Sequence, residues 1–86
     1  MSRYTVQVRP AAAKSLRELP KPDAERIRVK LALLADDPRP HGAEKLAGGD
    51  GRLRIRVGDY RIIFRVDDGV LLVLVVAIGH RREIYR

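Results

Sequence analysis

The sequence predicts a single α+β domain spanning residues 1–86: an N-terminal strand, a two-helix hairpin, then a three-strand antiparallel meander, with the strands forming one sheet. Three observations carry this reading. Polar and apolar residues alternate over residues 4–9 and, strictly, in "RLRIRV" at 52–57, the period of a half-buried strand. Between these segments, apolar residues at 24, 27, 31, 34 and 35 recur at helical spacing. Finally, "VLLVLVVAI" at 70–78 is apolar without a break, the mark of a strand covered on both faces and therefore interior.

In the first strand, Tyr4, Val6 and Val8 face one way and Thr5, Gln7 and Arg9 the other. Pro10 lacks an N–H to give to a ladder, so it ends the strand, and it suits the first turn of a short helix, "PAAAKSLREL". "PKP" at 20–22 stops that helix. Asp23 is expected to cap the second, whose apolar face is Ala24, Ile27, Leu31, Leu34 and Ala35, while Glu25, Arg26, Arg28 and Lys30 mostly face away until "DDPRP". Residues 38–51, "PRPHGAEKLAGGDG", read as an irregular connection anchored by Leu46, with His41 a solvated loop residue.

Composition excludes several functional classes. The chain is long enough for one modest core. It has no cysteine, and only His41 and His80 offer imidazole, so neither a disulfide framework nor a structural zinc site is expected, and no cofactor. The N-terminus lacks the continuous apolar core of a signal peptide, and the run at 70–78 is too short to cross a bilayer. A cytoplasmic protein without a membrane partner is expected. Eighteen basic against eleven acidic residues, a net charge of +7, favour a polyanionic partner.

The arrangement of those charges says more than their number. "GD" at 58–59 offers a two-residue hairpin turn between "RLRIRV" and "YRIIFRV". Counting outward pairs Val57 with Tyr60, Arg56 with Arg61, Ile55 with Ile62, Arg54 with Ile63, Leu53 with Phe64, and Arg52 with Arg65. One face is then apolar, and the other presents Arg52, Arg54, Arg56, Arg61 and Arg65 around Ile63. Like charges directly opposite one another destabilise a sheet, so something negative should compensate. Arginine's planar fork suits bidentate phosphate contacts, although a solvated face splayed by sheet twist would read the same way. The second turn, at "DDG", has two or three residues, and this choice sets the register of the last strand.

The stretch "LRIRVGDYRIIFRVDDGVLLVLVVAIGHRREIYR" resembles the C-terminal half of the RelE family of bacterial toxins, within the RelE/ParE superfamily, and the preceding layout through "EKLAGG" fits the same pattern. The resemblance implies a fold like that of microbial ribonucleases, ribosome-dependent cleavage of mRNA in the A site, and an acidic RelB-like antitoxin as partner. It places catalytic roles on Arg61, Arg81 and Tyr85, with the basic pair on the preceding strand at Arg54 and Arg56; beside it, Arg52 and Arg65 of the arginine face and Arg82 of the C-terminal cluster are expected as further phosphate contacts. In the best-studied family pattern the residues matching Arg54, Arg56 and His80 are lysines. An arginine holds phosphate but is a poor proton donor or acceptor, so proton transfer falls to Tyr85 and His80. On residue type alone, Tyr85 is equally an aromatic anchor and His80 equally an exposed histidine after a turn. Rival readings are a ParE-like DNA gyrase inhibitor and an inactive antitoxin-binding or RNA-binding module.

Overall fold

Prolines set the limits of the helical layer. The computed structural model describes residues 3–48 and 50–82. After strand β1 (Thr5–Val8), helix α1 (Pro10–Arg17) opens on Pro10, where the missing N–H has no intrahelical partner to lose. Helix α2 (Lys21–Asp36) begins two residues before the expected Asp23 cap. Pro22 is tolerated within its first turn, Pro20 stands at the N-cap, and Asp23 places its carboxylate in the first turn, where the helix dipole favours it. The expected apolar face holds: Ala24, Ile27, Leu31, Leu34 and Ala35 are all buried.

The four remaining strands are β2 (Glu44–Lys45), β3 (Leu53–Val57), β4 (Tyr60–Asp67) and β5 (Leu72–His80). Together with β1 they form one five-stranded sheet in the order β1-β5-β4-β3-β2, with β1 parallel to β5 and every other pair antiparallel. The α+β class and the meander are as expected. Within the stretch expected to be irregular, a two-residue strand pairs Glu44 with Arg54 and Lys45 with Leu53. The helices cover one face, and Ile27 and Leu34 from α2 pack with Ile62, Phe64, Val73 and Val75 at the centre of the core.

The β4–β5 connection is four residues long rather than two or three. Asp67 Oδ1 accepts the N–H groups of Gly69 and Val70 at 2.9 and 3.3 Å, folding the chain back in an Asx-type turn. Leu71, not Gly69, then takes the left-handed conformation, at φ 52°. That conformation costs a branched side chain about 1–2 kcal/mol, and here it closes the turn into β5.

Strand β5 carries a bulge. Ile63 pairs with Ala77 but Phe64 with Val75, so Val76 has no partner on β4. An extra residue reverses the inward–outward alternation. Before it, Val73 and Val75 face the helices; after it, Ile78 does, and all three are buried. The strand is interior to the sheet, between β1 and β4, but it is not covered on both faces as expected: the helices cover one, and Leu72, Leu74, Val76 and Ala77 are only half-buried.

A polar clasp closes the opposite end of the molecule. The Tyr4 hydroxyl donates to Asp68 Oδ1 at 2.6 Å, and Arg39 Nη1 and Nη2 donate to Asp68 Oδ1 and Oδ2 at 3.0 and 2.9 Å. It joins β1, the chain after α2, and the β4–β5 loop. The bonds from Arg39 and Tyr4 hold the Asp68 carboxyl below its ordinary value of 3.8, and the bond to Asp68 pushes the Tyr4 hydroxyl up. A carboxyl depressed by folding contributes stability that is complete above its ordinary value and is lost as pH falls through the lowered one. Melting temperature should therefore drop more steeply below about pH 4 in the wild type than in Asp68→Asn. Parallel pH profiles would remove the clasp from the acid response.

Candidate functional site

The β3–β4 hairpin builds the site. Gly58 takes φ +60° at the first turn position, the place that a two-residue hairpin reserves for glycine. The register is the expected one from Leu53–Phe64 through Val57–Tyr60. Alternation therefore sends Leu53, Ile55, Ile62 and Phe64 toward the helices and puts Arg54, Arg56 and Arg61 on the opposite face. These three arginines, with Gly42 and Glu44, line an open cavity of about 190 Å³.

Each guanidinium there is held differently. Arg54 Nη2 lies 3.3 Å from Glu44 Oε2, and Arg56 Nε donates to the Gly58 carbonyl at 2.8 Å, which curls it over its own turn. Arg61 Nη1 is buried, and no acceptor among the described residues reaches it. A buried donor left without a partner costs about 1–3 kcal/mol, and more when charged, so an anionic oxygen in this cavity would be favoured twice, by charge and by that bond. Ile63, paired with Arg54, is only 4% exposed although it lies on the charged face.

The rest of the expected arginine track is already neutralised from within. Arg52 Nε lies 2.7 Å from Asp50 Oδ2, in ion-pair contact without hydrogen-bond alignment, and Arg65 Nε and Nη2 donate to the Asp50 carbonyl at 3.3 and 2.9 Å. The Arg52 guanidinium and the Arg52 N–H, which donates to Asp50 Oδ1 at 3.3 Å, hold the Asp50 carboxyl below its ordinary range, reinforced by the nearby charge of Arg65. Asp50 thus supplies the negative charge that the Arg52–Arg65 end requires. It leaves the Arg54, Arg56 and Arg61 end as the place where an outside anion fits.

Glu44 was not assigned a role from sequence. Its strand is too short for alternation to show, and the one available signal, its opposite charge to Arg54, depends on a register that only the fold supplies. The site therefore contains a carboxylate beside three guanidiniums, which is also a proton acceptor that arginines cannot provide.

The C-terminal residues separate. Past the β5 bulge, Gly79 pairs with Arg61 on the arginine face, and His80 pairs with Tyr60 on the helix face. The rings of His80 and Tyr60 meet edge to face, with centroids 5.7 Å apart and planes at 82°. His80 adjoins Ser15, Glu18, Leu19 and Pro20 from the helical layer, so the sheet stands between it and the arginines. The Arg81 N–H extends the ladder to the Asp59 carbonyl at 2.9 Å, placing position 81 in the phase of Gly79 and Arg61. Arg81 and Arg82 are both exposed. Tyr85 lies outside the described residues.

Comparison with known proteins gives this geometry a family. The family described as the ParE toxin of the type II toxin-antitoxin system, parDE, matches residues 6–85. Toxin RelG of Mycobacterium tuberculosis is 32% identical over 85 residues, which is 96% of this chain and 97% of that protein. The archaeal RelE of the RelE–RelB complex from Pyrococcus horikoshii superposes with a TM-score of 0.83 at 27% identity, covering 94% of this chain and 98% of the other. The chain belongs to the RelE family of type II toxins. A second RelE-family structure, from the toxin-antitoxin complex RelBE2 of Mycobacterium tuberculosis, gives a TM-score of 0.80 at 26% identity, over 96% and 97% of the two chains. Among the described residues of this RelE-family toxin, no helix is long and apolar enough to cross a membrane.

Proposed function

We propose that this RelE-family toxin is a metal-independent, ribosome-dependent endoribonuclease that cuts mRNA in the A site and so halts translation. The observation that carries this reading is the convergence of Arg54, Arg56 and Arg61 on one cavity, with a buried Arg61 N–H lacking an acceptor. In such a reaction the ribose 2′-oxygen attacks the adjacent phosphorus, the bond from phosphorus to the 5′-oxygen breaks, and a cyclic phosphate remains. Negative charge builds on the nonbridging oxygens, where permanently ionised guanidiniums stabilise it. Arg61 faces that charge most directly, Arg81 joins it from the end of β5, and Arg54 and Arg56 hold the flanking phosphate.

The 2′-hydroxyl proton needs an acceptor and the 5′-oxygen a donor. Glu44 lines the cavity, and Tyr85 is the tyrosine of the matched C-terminal motif, so these two divide the proton transfers. A site this open, with so few groups, depends on the ribosome to hold the message in line. The toxin's partner is an acidic, RelB-like antitoxin that covers the arginines, as supported by the RelB complexes of its structural relatives. The ParE description of the matching family supports a second reading, a gyrase inhibitor that cleaves nothing.

The two readings separate in one pair of assays. The purified toxin should stop translation in a cell-free extract and leave cut, ribosome-bound message, without changing the supercoiling activity of gyrase. Continued translation together with blocked supercoiling would establish the second reading instead. Within the nuclease, removing a general base or acid costs about 10²–10⁴ in rate. Glu44→Gln and Tyr85→Phe should each slow single-turnover cleavage by at least ~10²-fold without lowering the melting temperature, and full activity in both would exclude this division of roles.

A further inference from the structure

His80 and Arg81 are neighbours in the chain but belong to opposite faces of the sheet, and the bond that links them is structural. Arg81 is exposed, so the direction of its side chain depends on its own backbone. Two N–H groups bracket its α-carbon, and both are taken. The Arg81 N–H donates to the Asp59 carbonyl at 2.9 Å. The Arg82 N–H donates to His80 Nδ1 at 3.2 Å. The first bond fixes the peptide before Arg81 and the second the peptide after it, so together they constrain both of its soft dihedrals. To accept, Nδ1 must be unprotonated, which in the neutral ring puts the hydrogen on Nε2.

The imidazole can serve as this acceptor because it is itself anchored. Its pairing with Tyr60 and the edge-to-face contact between the rings hold it on the helix face, beside Leu19 and Pro20. A side-chain acceptor bonding the N–H two residues on is the geometry of an Asx turn, made here by histidine. The Val76 bulge makes the arrangement possible: without it, His80 would point to the arginine face and position 81 away from it.

We infer that His80 is a positioning residue: its Nδ1 closes the turn that leaves β5 and thereby aims Arg81 at the phosphate held by Arg61. The ring takes no proton from the substrate. The aiming of Arg81 at phosphate rests on the nuclease reading above; the closure of the turn does not.

Two substitutions separate the acceptor from the ring. His80→Asn removes the ring but retains an oxygen that can bond the same N–H, and His80→Phe keeps the ring contact with Tyr60 but removes the acceptor. Both are compared with the wild-type chain by amide hydrogen exchange at Arg82, by thermal melting, and by single-turnover cleavage on saturating ribosomes. With one hydrogen bond at stake, His80→Phe should lose about tenfold in Arg82 protection and about tenfold in cleavage rate, while melting temperature and ribosome affinity stay near wild type. His80→Asn should retain both protection and rate. The inference is overturned if His80→Phe keeps wild-type protection, or if His80→Asn loses as much rate as His80→Phe. A wild-type chain that cuts no message would instead refute the nuclease reading, and exchange at Arg82 would still decide whether His80 closes the turn.

Discussion

The pairing of β3 with β4 is the constraint on which the rest of the molecule depends. A slip of one residue would exchange the faces of one strand, burying arginines and exposing Leu53 and Ile55 or Ile62 and Phe64. Magnitudes decide the contest. Fully burying a large apolar side chain stabilises by about 1.5–3 kcal/mol, whereas like charges facing one another across a strand pair cost roughly 0.2–1 kcal/mol. The core residues on the inner face therefore hold Arg56 and Arg61 opposite each other against their repulsion. This is how a small domain maintains a cationic cavity in the absence of its anion.

The protein limits that repulsion selectively. Asp50 engages Arg52 and Arg65 at one end of the arginine face, and Glu44 engages Arg54 near the other. What remains is concentrated at Arg61, whose buried Nη1 has no acceptor among the described residues. A uniform basic surface would attract any polyanion. Arg61, whose buried Nη1 has neither a hydrogen bond nor an ion-pair partner among the described residues, sits beside the anchored Arg54 and Arg56 in one cavity and instead favours one anionic group in one place.

Much of this was legible in the sequence where a period was complete. "RLRIRV", a Gly-Asp turn and "YRIIFRV" determine six cross-strand pairs by counting, and the structure has five of them; the sixth, Arg52 with Arg65, lies beyond the start of β3. The buried face of α2 was legible for the same reason. The start of α2 falls two residues before Asp23 because proline, a helix breaker in the interior, is accepted in a first turn. The four-residue β4–β5 loop was hidden because a leucine takes the left-handed position that glycine usually fills. The bulge at Val76 left no trace, since an apolar run without alternation reads the same in either phase. That silence is why His80 and Arg81 looked like members of one cluster, although the fold assigns them to different faces. Glu44 and Asp50 escaped assignment because the first lies on a two-residue strand and the second in the connection before β3, where no local pattern names a partner.

The central claim is that the Arg61 guanidinium stabilises charge on a cleaving phosphate. The direct measurement is single-turnover cleavage of message in ribosomes saturated with Arg61→Ala, with binding and melting followed in parallel. Loss of one such donor should lower the rate by about 10²-fold or more while ribosome affinity changes little. Cleavage at the wild-type rate by a folded, ribosome-bound Arg61→Ala would contradict the claim and leave the cavity a binding surface only.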